Sequence, residues 1–152
     1  MNRNQISRWL ASFFYLGFFP LAPGSLASAV GLLLALQLRG TPVLYGILFA
    51  VITLTGFFVS DRVEKSTGKK DPSFIVIDEV SGAMLAFFML PATPAVLITA
   101  FFLFRAFDMF KIYPVNKFEP LAGGVGVMMD DIIAGVYTNL TMQIAIRLAG
   151  II

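Results

Sequence analysis

The sequence predicts an all-α fold: a polytopic integral membrane helical bundle with about four to five membrane segments and an N-terminal interfacial helix. Three observations predict it. Hydrophobic residues make up 58% of the chain and charged residues only 13%, about half the charged share of an ordinary soluble domain. The mean hydropathy is +0.85. The apolar residues gather into runs near the roughly 20 residues a helix needs to cross a bilayer, separated by short breaks rich in Pro, Gly and charge. No stretch reads as an interdomain linker, so residues 1–152 are expected to form one membrane-embedded domain.

At the N-terminus, Arg3 and Arg8 precede an apolar run, and Ala27-Ser28-Ala29 looks like a cleavage site. That is a signal-peptide pattern, but Pro20, Pro23 and Gly24 interrupt it and the apolar character continues beyond. The favoured reading is an amphipathic helix over residues 4–19 lying on the membrane. Residues 25–38 form a short first span, extendable toward Leu21, that ends at Arg39-Gly40-Thr41-Pro42. Residues 43–60 are the cleanest span. Residues 61–70, DRVEKSTGKK, are charged and read as aqueous, and Asp71-Pro72-Ser73 reads as a turn or helix start.

Residues 74–90 form a third span, apolar except for Asp78 and Glu79, closed by the breaker at 91–94. Residues 95–110 form a fourth, apolar except for Arg105 and Asp108. Residues 111–127, with Pro114, Pro120, Gly123, Gly124 and Gly126, read as a loop. A final helix over 128–152 carries Asp130 and Asp131 at its start. With the N-terminus in the cytoplasm, eight basic residues fall on the cytoplasmic side (Arg3, Arg8, Arg62, Lys65, Lys69, Lys70, Lys111, Lys117). Two, Arg39 and Arg147, fall opposite, in keeping with the positive-inside rule.

Composition also restricts the chemistry. There is no Cys and no His, which removes thiolate chemistry, Ser–His triads and histidine metal ligands. A net charge of +2 gives no basis for nucleic-acid binding. An active site must therefore use carboxylates, Lys, Arg, hydroxyls, backbone amides and bound ions. In the topology above, Asp78 and Glu79, Arg105 and Asp108, and Asp130 and Asp131 all sit at the cytoplasmic ends of three segments. A carboxylate in hydrocarbon costs several kcal/mol, so such residues are usually paired or functional.

The two acid pairs also look alike: VIDEVSGAM at 76–84 and MMDDIIAGV at 128–136. Adjacent helical residues point about 100° apart, so one acid of each pair can face inward and the other a neighbour. The small residues after each pair allow close helix approach. Hard oxygen donors without His or Cys suit Mg²⁺ or a similar hard cation. Arg105, Asp108 and Lys111 recur at steps of three and can share a helix face. There Arg105 and Lys111 would suit a phosphate, or Arg105 and Asp108 would simply neutralise each other. Gly123-Gly124-Val125-Gly126 reads as an anion cradle or as a close-packing device. Ser25 or Ser28 reads as a cap of the first span.

Four blocks carry a family resemblance: GFFPLAPGSLAS at 17–28, IVIDEVSG at 75–82, FRAFDMFKIYP at 104–114 and GGVGVMMDDIIAGV at 123–136. Together, in this order, they resemble the phosphatidylglycerophosphatase A family. The chain departs from the family pattern at Ile112, where Pro is common, and at Ser25 and Ala27, where Thr and Gly are common. The resemblance implies a Mg²⁺-dependent lipid phosphatase of the bacterial cytoplasmic membrane, multi-pass with its active site facing the cytoplasm. It would convert phosphatidylglycerophosphate to phosphatidylglycerol, with the lipid and the bilayer as its partners.

In that reading Asp78, Glu79, Asp130 and Asp131 hold the metal. Arg105 and Lys111 bind the phosphate, with Gly123, Gly124 and Ser25 beside it. Asp131 and Asp108 take part in catalysis, Asp108 as ligand, general base or nucleophile. Two rivals stand against the enzyme. A small ion- or proton-coupled transporter would place its acids midway through the spans. A non-catalytic lipid-binding subunit would not call for the acid set.

Overall fold

In the computed structural model, which describes residues 2–110, 113, 121 and 123–150, the described residues are all-helical, with no strand among them. Proline and glycine set many of the boundaries. α1 spans Arg3–Ala11, α2 Pro23–Leu38, α3 Pro42–Thr67, α4 Ile77–Phe87, α5 Pro94–Phe110 and α6 Gly124–Leu148. α2, α3 and α5 each begin on proline, where the missing N–H would have had no helical partner. α3 closes at Gly68, whose left-handed backbone (φ +66) lets its N–H reach the Glu64 carbonyl at 2.9 Å.

The N-terminal segment departs from expectation. Instead of one helix over 4–19, α1 stops at Ala11. Phe13, Phe14 and Tyr15 take left-handed backbone at φ 44, 59 and 70, and a 3-10 turn follows at Leu16–Phe18. Such conformations cost about 1–3 kcal/mol each for residues other than glycine, and persist only where the surroundings fix them. Here the Val76 N–H bonds the Ala11 carbonyl at 3.0 Å, and the Arg8 guanidinium lies 5.2 Å from the Phe74 ring centroid. α1 packs along α3 and is thus fixed to the bundle, while Phe14, Tyr15, Phe18 and Phe19 stay exposed.

α3 is longer than expected. The expected span ended at residue 60, but the helix continues into the charged stretch 61–70 as far as Thr67. Among the described residues α3 is the one helix both long and apolar enough to cross a membrane, and Val43, Leu44, Ile47, Val51, Leu54 and Phe58 face outward along it.

α4 is shorter than expected. Its eleven residues extend about 16 Å, half the roughly 30 Å hydrocarbon thickness. The third of the expected spans, 74–90, is therefore not a membrane-length helix. Its start is held by the Val76–Ala11 bond, and Met89 (φ +56) breaks its end. Neighbours satisfy the carbonyls left open there. The Asn139 side-chain amide donates to Ala86 and Phe88 at 3.2 and 2.7 Å, and the Tyr45 hydroxyl donates to Met84. α4 packs between α2 and α6. Gly82 makes the second contact possible: a Cβ there would lie 2.5 Å from the Asp131 carbonyl oxygen.

Candidate active site

The close α4–α6 approach sets the depth of the acids. Gly82 is one turn beyond Asp78 and touches the backbone of Asp131. The first turn of α4 therefore lies beside the acid-bearing part of α6. α5 brings Asp108 to the same place, and the loop before α4 brings Asp71. Asp71, Asp78, Glu79, Asp108, Asp130 and Asp131 line one cavity of about 230 Å³, with Ser73, Ile75 and Val127. All five acids expected at the site meet there, and both members of each adjacent pair reach the cavity. Asp78, Asp130 and Asp131 are buried, at 6%, 7% and 4% exposure.

Burial of this much like charge needs compensation. Asp78 Oδ1, Glu79 Oε2 and Asp131 Oδ1 are buried with no hydrogen-bond partner. Orphaned carboxylate oxygens in one cavity are the donor chemistry a hard divalent cation requires. Among the described residues no three acids already converge as a ready-made metal cluster, so a cation would have to draw the side chains inward. Asp78, Glu79, Asp130 and Asp131 are the residues positioned to hold it.

Arg105 and Asp108 form the ion pair that their spacing allowed: Arg105 Nη1 donates to Asp108 Oδ2 at 2.7 Å, with both side chains mostly buried. Arg105 also faces the start of α2. A Cβ on Gly24 would overlap Glu79 Oε1 and lie 3.5 Å from Arg105 Nη2, so the α2 backbone runs directly against this charged edge and a side chain there would have to displace the Glu79 carboxylate. Lys111 lies outside the described residues.

Three expectations change. Ser25 is half-buried on the first turn of α2 and is not among the residues lining the acid cavity. Neither it nor Ser28 caps the helix: the N-cap is Ala22, without a side-chain bond, and Ser28 Oγ donates to the Gly24 carbonyl at 2.8 Å. Gly123 does not present an open amide to an anion, because its N–H already donates to Glu64 Oε2 at 2.6 Å. For Gly124 the close-packing alternative holds: a Cβ there would overlap the Phe57 carbonyl of α3.

Asp71, Gly24 and Glu64 were not expected at the site. For Asp71 the only signal was its place seven residues before Asp78, across Pro72. Gly24 carries no side chain to signal a role, and Glu64 sat in a stretch that reads as solvated surface.

Comparison with known proteins identifies the family. The family profile described as Phosphatidylglycerophosphatase A matches residues 9–146. A Bacteroides thetaiotaomicron protein named "Putative phosphatidylinositol-3-phosphatase" is 38% identical over 138 residues, covering 85% of this chain and 86% of that protein. Phosphatidylglycerophosphatase A of Haemophilus influenzae is 35% identical over 129 residues, covering 80% and 77%. That of Escherichia coli is 32% identical over 130 residues, covering 84% and 76%. No solved structure matches the chain.

Proposed function

The chain belongs to the phosphatidylglycerophosphatase A family, of phosphoric monoester hydrolases, and from that premise we propose that it hydrolyses phosphatidylglycerophosphate to phosphatidylglycerol, using Mg²⁺ at the cytoplasmic face of the bacterial inner membrane. The observation that carries the reading is the cavity in which six carboxylates from α4, α5, α6 and the loop before α4 meet beside Arg105.

The carboxylates of Asp78, Glu79, Asp130 and Asp131 are the metal-holding set. When bound, Mg²⁺ would offset the phosphate charge and orient a water for attack on phosphorus. Arg105 keeps further N–H donors beyond the one given to Asp108, and these suit the equatorial phosphoryl oxygens. Asp108 remains the ligand, base or nucleophile. Acid quenching during turnover singles out the nucleophile, because only a nucleophile leaves phosphate on the chain. Lys111 is proposed to supply a second positive charge to the phosphate. Attack breaks the bond between phosphorus and the glycerol oxygen, releasing inorganic phosphate while the acyl chains stay in the bilayer.

The position of the cavity favours an enzyme over a transporter. Its wall includes Asp71 and Ser73 of a loop and the first turn of α4, so the acids gather at an end of the bundle rather than along a path through it. For the membrane arrangement, α3 has the length and apolar surface of a span, and α2, α5 and α6 complete a bundle of four to five segments in which α4 is a short inner helix. The exposed ring-bearing turn after α1 is suited to the interface.

The Bacteroides relative's name suggests a second lipid phosphomonoester, phosphatidylinositol 3-phosphate. The deciding experiment measures phosphate release by the purified protein from each lipid, with Mg²⁺ and with chelator. The expected result is Mg²⁺-dependent release from phosphatidylglycerophosphate; release from neither lipid would overturn the reading.

A further inference from the structure

Glu64 lies near the C-terminal end of α3, in the charged stretch that reads as solvated surface, yet its carboxylate is spent on backbone. Oε1 accepts the Asp71 N–H at 2.7 Å and Oε2 accepts the Gly123 N–H at 2.6 Å. Both recipients have left-handed backbone, at φ +42 for Asp71 and +77 for Gly123. At Asp71, which is not glycine, that conformation is strained and needs an external constraint. The two residues also flank the acid cavity: Asp71 is part of its wall, and Gly123 is the N-cap of α6, which carries Asp130 and Asp131.

We propose that Glu64 is a positioning residue that, through these two charge-assisted hydrogen bonds, fixes the Asp71 loop and the start of α6 at the spacing the acid cavity requires. The inference rests on the hydrolase reading above. Glu64 does not itself line the cavity and acts through Asp71 and Gly123. One ionised carboxylate can hold two N–H groups at once. A glutamine in its place keeps one acceptor oxygen and presents donors on the other side, so it releases one amide. Alanine releases both.

The test uses the full chain in nanodiscs with Glu64→Gln, Glu64→Ala and, as control, Lys65→Gln, whose side chain is exposed on the adjacent position. Amide hydrogen exchange is read for the peptides containing Asp71 and Gly123, and the Mg²⁺ concentration for half-maximal phosphatidylglycerophosphate hydrolysis is read in parallel. The expected result is exchange about tenfold faster at one of the two segments in Glu64→Gln and at both in Glu64→Ala. The Mg²⁺ requirement should rise about tenfold, with no change in Lys65→Gln.

Unchanged exchange at both segments in Glu64→Gln overturns the inference. So does faster exchange with an unaltered Mg²⁺ requirement and turnover, since Glu64 would then be a loop fastener without bearing on the site. If the unsubstituted protein hydrolyses no phosphatidylglycerophosphate, the functional reading fails by itself, and the exchange data alone decide whether the clamp exists. Glu64→Gln is nearly isosteric, so the test survives if Glu64→Ala does not fold.

Discussion

α3 and α4 are both apolar helices of the same bundle, but they solve opposite problems. α3 runs 26 residues and turns large side chains such as Val43, Leu54 and Phe58 outward. α4 runs 11 residues and buries nearly all of them, among them Asp78, Val80, Ser81, Gly82, Ala83 and Met84. A helix that meets an apolar solvent must satisfy its own backbone and carry no charge in the middle. A helix enclosed by other helices can end early, because Asn139 and Tyr45 take its open carbonyls. It can also carry two acids in its first turn, where the helix dipole favours them. Enclosure is thus what permits a polar site inside so apolar a chain.

The comparison predicts a graded response to substitution. The largest effect is expected where α4 touches α6. Gly82→Val places a branched side chain against the Asp131 backbone, which the Cβ alone would approach to 2.5 Å. Overpacking of this kind costs about 1–3 kcal/mol or more, and it moves the two acid pairs apart. Phosphate release should be abolished, and the thermal midpoint in detergent should fall. Normal activity in Gly82→Val would show that the helix contact does not set the site.

Next come the acids themselves. Asp130→Asn and Asp131→Asn should each lower turnover about 100-fold, more than outer-shell changes usually do, and the remaining activity should need more Mg²⁺. Arg105→Lys keeps the charge but loses the planar guanidinium, whose Nη1 holds Asp108 while its other donors stay available to phosphate. Its defect should appear in lipid binding or turnover and resist added Mg²⁺. A Mg²⁺ titration of all three variants in matched detergent separates the roles. Full turnover with an unchanged Mg²⁺ requirement in both Asn variants would remove the metal role from this pair.

A smaller effect is expected at the capped end of α4. Asn139→Ala leaves the Ala86 and Phe88 carbonyls without their side-chain donor, a loss of about 1–3 kcal/mol in stability. The Mg²⁺ requirement should stay as it was, because Asn139 is two turns beyond Asp131. Unfolding in graded denaturant with and without the substitution measures it. The smallest effect is expected on the outer face of α3. Phe58→Leu changes a side chain that is 76% exposed, and stability in lipid should move by no more than about 0.5 kcal/mol. A large loss there would mean that this face is packed against protein in the native membrane.

Much of this architecture could be read from the chain directly. Runs of apolar residues broken by Pro42 and Pro94 mark helices and their starts, because proline acts on its own backbone and needs no partner. The two acid pairs, Asp108 and Arg105 are legible as a group for a similar reason. Ionisable residues stand out against apolar neighbours, because a charge in such a setting needs a partner or a function. The (i, i+3) pair of Arg105 with Asp108 is likewise a local consequence of helix geometry.

What the tertiary structure decided lies in contacts between segments distant in sequence. α4 looked like a full span because residues 74–90 are apolar; its length was settled by Ala11 at one end and Asn139 at the other, neither of which has any local signature. The amphipathic N-terminal segment looked continuous, but docking against Phe74 and Val76 turned it after Ala11. Asp71 looked like part of a turn and Glu64 like surface charge, yet one lines the acid cavity and the other holds its loop. Gly123 looked open to an anion until Glu64, 59 residues away, filled its amide. Composition and local spacing determine which segments are helical and which residues are chemically unusual. Only the packing of α4 and α5 against α6, with the Asp71 loop beside them, brings six carboxylates into one cavity, because the distance between acids on separate helices is set by where their backbones meet.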